Sequence, residues 1–281
     1  MELFWYLIFF SFGASVGSFL NVILDRYNTG LSFWGGKSFC FSCNYKLQKK
    51  DMFPIFSFLF LKGRCRNCGS RIPNESLFVE LIMGILSVLL VYKISLFFSY
   101  ISLSLVISYL LLVSIFGVIV LISFYDLRHM IIPDSFLIAF FFLSFLYTLI
   151  LDAEYLLLIG NTISGIVLAL PFLLIFILSK GRWMGFGDIK YIAVLGFFLG
   201  LVNGSSAIII AFWVGAILSI LLILVPKVLS ILGLSNIRNR FKMNSAIPFG
   251  PFLSLGITLS FYLNVDILQI QILKELLFEI F

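Results

Sequence analysis

Residues 98–124, FSYISLSLVISYLLLVSIFGVIVLISF, contain no charged side chain. About 20 consecutive apolar residues in a helix cross the hydrocarbon core of a bilayer, so this stretch is long enough to do so. Its apolar residues follow one another closely, whereas the strands of a membrane barrel alternate apolar and polar positions over about ten residues. The stretch therefore predicts a membrane-spanning helix.

The rest of the chain has the same character. Of its 281 residues, 62% are hydrophobic and 11% are charged, whereas about a quarter of the residues in soluble domains are charged. Further apolar runs cover 3–24, 77–97, 135–151, 155–179, 189–202, 205–226 and 247–264. We therefore predict an all-α fold, a polytopic membrane bundle of about eight helical spans. The beginning, MELFWYLIFF, lacks a basic leading segment, so we interpret it as a permanent span and not as a removable signal.

One polar segment, residues 25–76, interrupts the apolar runs and is the only part suited to a water-exposed subdomain. We divide the chain into a first span (1–24), a cytoplasmic loop domain (25–76), a membrane bundle (77–264) and a tail (265–281). The tail mixes Ile, Leu and Phe with acidic and amide side chains. This mixture predicts an amphipathic helix along the membrane surface.

Two pairs of glycines lie four residues apart inside apolar runs: Gly13 with Gly17, and Gly196 with Gly200. Glycines at this spacing share one face of a helix and let a second backbone approach closely. The pairs predict helix packing and say little about chemistry.

The basic residues are concentrated in four loops that share one side if every run crosses the membrane. These loops are 25–76, 125–134, 180–190 and 227–246. Only Lys93 and Lys274 lie elsewhere. Because Lys and Arg accumulate in cytoplasmic loops, we expect these loops in the cytoplasm and the N-terminus outside. The net charge of +6 then reflects membrane topology, and we expect the lipid bilayer as a partner but no nucleic acid.

All four cysteines belong to two C-x-x-C pairs inside the polar segment, Cys40 with Cys43 and Cys65 with Cys68. Two such knuckles can surround one tetrahedral Zn²⁺ with four thiolates. Disulfides are disfavoured in the cytoplasm, where we place this loop. The alternatives are free thiols or redox pairs. We predict a closed, structural Zn²⁺ site that folds the loop domain.

Three acidic residues, Asp126, Asp134 and Asp188, lie at the ends of apolar runs. Ionisable groups are costly near the membrane interior and are usually functional there. Gly185 and Gly187 precede Asp188 and leave the backbone bare, so that another chain can approach the carboxyl group.

Two carboxyl groups that share one proton can act as acid and base near neutral pH. Such a pair activates water against a peptide carbonyl and protonates the leaving amine. Because His129 is the only histidine, a Ser-His-Asp or Cys-His arrangement is not expected. The alternative is that these aspartates cap helices, as Asp134 is placed to do, or pair with Arg128 and Lys190. Chemistry alone does not choose which two of the three form a pair.

Several segments follow one another along the chain: GASVGSFLNVILDR (13–26), the two cysteine knuckles, YDLRHMIIPD (125–134), GFGDIK (185–190) and IPFGPFLSLG (247–256). In this order they resemble the type IV prepilin peptidases, bacterial membrane aspartyl proteases with a GxGD motif. The resemblance implies that Asp126 and Asp188 are the catalytic pair. It implies supporting roles for Asp134, Lys190, Gly185 and Gly187.

The resemblance also implies a substrate and a location. The enzyme would remove the basic leader of type IV prepilins or pseudopilins after a Gly, at the cytoplasmic face of the bacterial inner membrane. Many family members also methylate the new N-terminus with S-adenosylmethionine, an activity associated with the N-terminal half. Asn21, Asp51 and Glu80 are our candidates for that second activity.

Three alternatives remain open at this point. Glu75-Ser76-Leu77 departs from the family's usual Arg-Tyr-Pro, and Asp25-Arg26-Tyr27 departs from its Tyr-Arg-Leu-Pro. Both departures lie in the half tied to methylation, so one alternative is a peptidase without methyltransferase activity. A second is a transporter whose aspartates bind ions, and a third is a non-catalytic assembly factor that binds a partner through the zinc loop.

Overall fold

The computed structural model describes residues 2–33, 35, 38–95, 103–151, 155–231, 247–264 and 266–267. Two compact units divide the chain, Met1–Phe124 and Tyr125–Phe281. The helices are α1 Glu2–Arg26, α2 Phe56–Phe60, α3 Asn74–Ser95, α4 Leu103–His129, α5 Asp134–Leu151, α6 Tyr155–Ser179, α7 Phe186–Ile231 and α8 Gly250–Leu263. Within these ranges, β structure is limited to the isolated bridges Phe39–Lys46 and Arg64–Arg71.

Five helices are long and apolar enough to cross a membrane. They cover Leu3–Arg26, Asn74–Ile94, Leu103–His129, Leu156–Ser179 and Phe186–Leu222, and α5 and α8 are shorter apolar helices. Large apolar side chains on these helices face outward, such as Leu178 on α6 and Ile138 on α5. Outward apolar surface on this scale is suited to lipid and not to water. The prediction of an all-α, multi-pass membrane protein is confirmed.

The first unit is held together by close contact between α1 and α3. A Cβ atom on Gly13 would overlap the carbonyl oxygen of Met83, and one on Gly17 would lie 2.8 Å from the Cα of Glu80. Ser87 on α3 donates a hydrogen bond to the carbonyl of Phe9. This packing sets the end of α1 beside the start of α3.

In the second unit, α7 packs against α6 and α8 at backbone contact distance. A Cβ atom on Gly196 would lie 2.8 Å from the Cα of Gly165, and one on Gly256 would overlap the carbonyl of Ala207. Tyr191 of α7 is completely buried and meets the ring of Phe140 on α5 edge to face. α7 is therefore packed against three neighbouring helices, α5, α6 and α8.

Gly200 has a different role from the one that its spacing predicted. Its φ of 73° and ψ of −177° interrupt α7 with a kink. Such a conformation is open to glycine and strained for other residues. The apolar runs 189–202 and 205–226 are thus two helical segments joined at a bend, and only Gly196 of the pair packs against a neighbouring backbone.

Part of the sequence-based topology lies outside the described residues. This applies to most of the tail 265–281 and to most of the loop 227–246. The four-part division of the chain and the orientation in the membrane stay predictions.

Candidate active site and metal site

Asp126 lies in the last turn of α4 and is 4% exposed. Its Oδ2 accepts a hydrogen bond of 2.9 Å from the backbone N–H of Gly250, the first residue of α8. The first N–H groups of a helix have no partner within the helix and carry partial positive charge, so they suit a carboxylate. A Cβ atom on Gly250 would lie 2.6 Å from the same oxygen, so a larger residue there would displace the carboxyl group.

Asp188 lies in the first turn of α7 and is half-buried. The backbone N–H of Gly185 donates a hydrogen bond to it, and the carboxyl group interacts electrostatically with that of Asp126. Gly187 lets Ile132 approach, because an added Cβ atom would lie 3.3 Å from the Cβ of Ile132. The end of α4 and the start of α7, which carry the two carboxyl groups, both contact the start of α8, through Gly250 to Asp126 and through Ser254 to Tyr191.

Asp134, the third candidate, has a different partner. Its Oδ1 lies 2.7 Å from Nζ of Lys190, and its side chain is 64% exposed. The ammonium group of Lys190 also lies 4.9 Å from the centre of the Phe186 ring. This ion pair joins the start of α5 to the start of α7, next to Asp188 in the chain.

Sequence reasoning did not single out two side chains that support the Gly250 contact. The Ser254 hydroxyl donates to the carbonyl of Gly250 at 2.9 Å, and its Oγ lies 2.9 Å from the buried Tyr191 hydroxyl. The signal that was available is the Gly250-Pro251 pair, because proline is favoured in the first turn of a helix. It marks a helix start but does not reveal which carboxyl group faces it.

The four cysteine sulfurs form one cluster, with all Sγ atoms within 4.8 Å of one another. Cys40 lies 3.9 Å from Cys68, and Cys43 lies 4.0 Å from Cys65. Tetrahedral Zn²⁺ with Zn–S bonds of about 2.3 Å places its sulfurs roughly 3.8 Å apart, so the cluster fits this ion.

The two knuckles have the same backbone turn. The N–H of Cys40 donates to the carbonyl of Tyr45, and the N–H of Cys65 donates to the carbonyl of Ser70. The hydrogen bond with Ser70 is the largest cause that lowers the pKa of Cys40 to about 6. A lowered pKa favours the thiolate, which is the form that binds metal.

Replacing Cys40 with Ser is expected to abolish stoichiometric zinc binding, because a closed structural site needs all four ligands. Metal analysis of purified protein after dialysis against a mild chelator measures this. Ser42→Ala, between the two cysteines of the same knuckle, is the matched control and should retain zinc. Undiminished zinc in Cys40→Ser would contradict a four-thiolate site.

The three candidates for the second activity lie on the wall of one cavity in the first unit. This cavity has a volume of about 550 Å³, and Asn21, Asp51 and Glu80 all line it. Burial raises the pKa of Asp51, but hydrogen bonds from the Arg66 side chain and the Gln48 N–H outweigh it, so the pKa lies below its ordinary value. The structure thus gathers the three polar residues into a single site.

Two family models match the chain. The Bacterial Peptidase A24 N-terminal domain matches residues 11–94, and the Type IV leader peptidase family matches residues 113–220. The first match covers the cysteine cluster and the cavity. The second covers Asp126, Asp134 and Asp188.

Curated relatives resemble the chain over most of its length. The prepilin leader peptidase/N-methyltransferase of Bacillus subtilis (strain 168) is 29% identical, over 94% of this chain and 97% of the relative. Proteins with the same name from Aeromonas salmonicida (strain A449) and Dichelobacter nodosus are 27% and 26% identical, over 88% and 92% of this chain and 87% and 92% of the relatives. No solved structure gives a significant match.

The fold and the site define a multi-pass helical membrane protein with buried or half-buried acidic residues at two helix ends and a cluster of four cysteines. With both matches, the chain belongs to the type IV leader peptidase family, the prepilin peptidases. The resemblance drawn from the motifs is confirmed, and so is the prediction that the chain is an enzyme.

Proposed function

We propose that the chain is an aspartyl endopeptidase in which Asp126 and Asp188 hydrolyse the leader peptide bond of a prepilin or pseudopilin. The observation that carries this proposal is that the first turns of α8 contact both helix ends, through Gly250 to Asp126 and through Ser254 to Tyr191, one turn after Asp188. The two carboxyl groups therefore belong to helix ends that meet the same neighbour. Asp134, by contrast, is paired with Lys190 and is largely exposed. Within the described ranges, neither Asp126 nor Asp188 forms an ion pair of this kind, so these two carboxyl groups are the better acid–base pair.

In this mechanism the pair holds one proton. The ionised carboxyl group takes a proton from water as the water oxygen adds to the scissile carbonyl. The protonated one donates a hydrogen bond to the carbonyl oxygen, and a proton then passes to the leaving amine as the C–N bond breaks. Gly250 keeps the Asp126 carboxyl group in place during both steps, so we assign it a positioning role.

The proposed substrate is a pilin precursor with a basic leader and an apolar helix. The relatives are named for their action on prepilins. Asp126 and Asp188 lie within the segments 125–134 and 180–190, at the end of α4 and at the start of α7. The positive-inside rule assigns these loops to the cytoplasm. We infer cleavage after a Gly at the cytoplasmic face of the bacterial inner membrane, with the substrate helix in the bilayer.

We further infer that the enzyme methylates the new N-terminus. The relatives carry N-methyltransferase in their names, and the N-terminal family model covers residues 11–94. S-adenosylmethionine would supply the methyl group. Cys40, Cys43, Cys65 and Cys68 would hold Zn²⁺ in a structural role, because all four positions of the tetrahedron are filled by protein.

The experiment is incubation of purified, zinc-loaded enzyme in detergent with pilin precursors, followed by mass spectrometry of the products. We expect cleavage after a Gly and, with S-adenosylmethionine present, a product heavier by one methyl group. A cleaved but unmodified product would identify a peptidase without methyltransferase activity. If no precursor is cleaved while the protein in liposomes conducts ions, the enzyme proposal fails and the transporter alternative replaces it.

Asp134→Asn is expected to reduce kcat/KM of cleavage only modestly. The ion pair with Lys190 is exposed, and exposed pairs contribute about 1 kcal/mol or less, which corresponds to roughly a fivefold change at most. Lys190→Gln removes the other partner of the same pair and should have a similar effect. Complete loss of cleavage in Asp134→Asn would instead place Asp134 in the catalytic pair.

A further inference from the structure

The cavity in the first unit has the size and composition of a small-molecule site. It lies between the end of α1, the start of α3 and the loop that carries the four cysteines. Its volume of about 550 Å³ falls inside the usual range of roughly 300–1,000 Å³ for ligand pockets. The peptidase mechanism uses none of its lining residues. Its polar groups therefore need another explanation.

Asn21 is the most informative of these groups. It is 8% exposed, and its Nδ2 donates to the carbonyl and the hydroxyl of Ser76. Its Oδ1 is buried and has no hydrogen-bond partner among the residues that the structure describes. A buried acceptor without a partner is rare, and one on a cavity wall can accept a hydrogen bond from a ligand.

Two buried carboxyl groups lie on the same wall. Glu80 is 7% exposed and accepts a hydrogen bond from the N–H of Ile55 at 2.6 Å. Asp51 accepts from Nε of Arg66 at 2.7 Å and from the N–H of Gln48 at 3.1 Å. The Asp51 carboxylate is already paired with Arg66, so Glu80, which accepts from a neutral N–H, is the group that favours a ligand with positive charge.

Aromatic rings and three arginines, Arg26, Arg66 and Arg71, also line the cavity. Phe39, Phe41 and Phe58 line the cavity together with the carboxyl groups. Aromatic faces attract cations and stack on planar bases. The buried Arg26 also lines the cavity, where it can attract a carboxylate while its guanidinium donates to the carbonyl of Ser32.

We propose that this cavity is the methyl-donor site, and that it binds S-adenosylmethionine through Asn21, Glu80 and the aromatic wall. The ligand has a cationic sulfonium, an amino-acid end with both charges, and a planar base, which are the three features that the lining suits. This inference rests on the proposed methylation. In that reaction the methyl group leaves the sulfonium sulfur for the amine of the new N-terminus, the amine loses a proton to solvent, and a neutral thioether remains.

The same geometry connects the donor site to the metal site. Cys40 and Cys65 line the cavity, and Arg66, which holds Asp51, lies between the two cysteines of the second knuckle. The metal-bound knuckles therefore form part of the cavity wall. Removal of zinc is expected to weaken donor binding as well as to unfold the loop.

The test is calorimetric binding of S-adenosylhomocysteine, the demethylated product, to the full-length, zinc-loaded enzyme in detergent. Glu80→Gln keeps an acceptor for the Ile55 N–H but removes the charge, and we expect it to weaken binding roughly tenfold or more. Glu75→Gln is the matched control, because Glu75 lies on the same helix but does not line the cavity, and its affinity should equal that of wild type. Equal affinity of Glu80→Gln and wild type would overturn the proposal.

Photo-crosslinking of radiolabelled S-adenosylmethionine to the wild-type enzyme gives a second answer that does not depend on a variant's folding. The label should map to peptides that line the cavity, within residues 18–26, 38–58 or 65–80. A label confined to the second unit would overturn this site while leaving methylation itself intact. A wild-type enzyme that cleaves its precursor but neither binds the ligand nor adds a methyl group would overturn both the site and the proposed methylation.

Discussion

Asp126→Asn and Asp188→Asn are each expected to reduce the rate of precursor cleavage by roughly 10³-fold or more, since acid–base groups contribute 10²–10⁴-fold. Asparagine has nearly the same shape as aspartate, and its carbonyl oxygen can still accept the N–H of Gly250. It cannot take up or release the proton that hydrolysis needs. The measurement is single-turnover cleavage of a pilin precursor by equal amounts of folded enzyme.

The matched control for these two variants is Asp134→Asn. It makes the same chemical change at a neighbouring aspartate that pairs with Lys190. Zinc content and helix content should be equal in the wild-type enzyme and the three variants, because none of the changes touches the cysteine cluster. If either Asp126→Asn or Asp188→Asn cleaves at the wild-type rate, the assignment of the catalytic pair is wrong.

Gly250→Ala is expected to cause the second large loss of cleavage. The added Cβ atom would lie 2.6 Å from Oδ2 of Asp126 and 3.2 Å from its Cβ and Cγ atoms. The carboxyl group is buried, so it can move away from the added atom only by giving up its contact with the N–H of residue 250. Because a displacement of about 1 Å at a catalytic group can cost 10²-fold in rate, we expect a loss of roughly that size. Steady-state kinetics should show it mainly in kcat.

Gly160→Ala provides the control for adding a methyl group to a helical glycine. Gly160 lies in α6, and an added Cβ atom would meet nothing within 4 Å. Its cleavage rate should match that of wild type. Full activity in Gly250→Ala would mean that Asp126 does not depend on the start of α8 for its position.

Most of the fold could be predicted because hydrophobic length decides membrane helices. The run 155–179 coincides with α6, and the run 135–151 differs from α5 by one residue. The apolar run 98–124 placed the end of the helix too early, because α4 continues through the polar residues to His129. The chain after Phe124 is still helical because backbone hydrogen bonds do not require apolar side chains. Asp126 is thus part of the helix itself.

The candidate residues could be predicted from the sequence, but their partners could not. Asp126, Asp134 and Asp188 look alike as acidic residues at the ends of apolar runs. Only the fold shows that Lys190 pairs with Asp134, and that Asp126 accepts a hydrogen bond from the N–H of Gly250. The distinction depends on contacts between helices that are far apart in sequence, which no local pattern contains.

The roles of Gly200 and Gly250 could not be predicted from local sequence patterns either. Gly200 lies four residues after Gly196, as in a packing motif, yet it forms the kink of α7 because its φ is positive. Gly250 appeared only as part of a motif near the end of the chain, and its contact with Asp126 spans more than 120 residues. Backbone conformation and long-range contacts decide both cases.

The pH dependence of cleavage tests the central claim most directly. A pair of carboxyl groups that shares one proton is active only while one is ionised and the other protonated, so kcat/KM should rise and then fall with pH. Helix content measured at each pH confirms that the protein stays folded over the range. The account predicts a bell-shaped profile whose shape is the same for wild type and Asp134→Asn. A rate that rises with pH to a plateau, as for a single base or a deprotonated nucleophile, would contradict the Asp126–Asp188 pair.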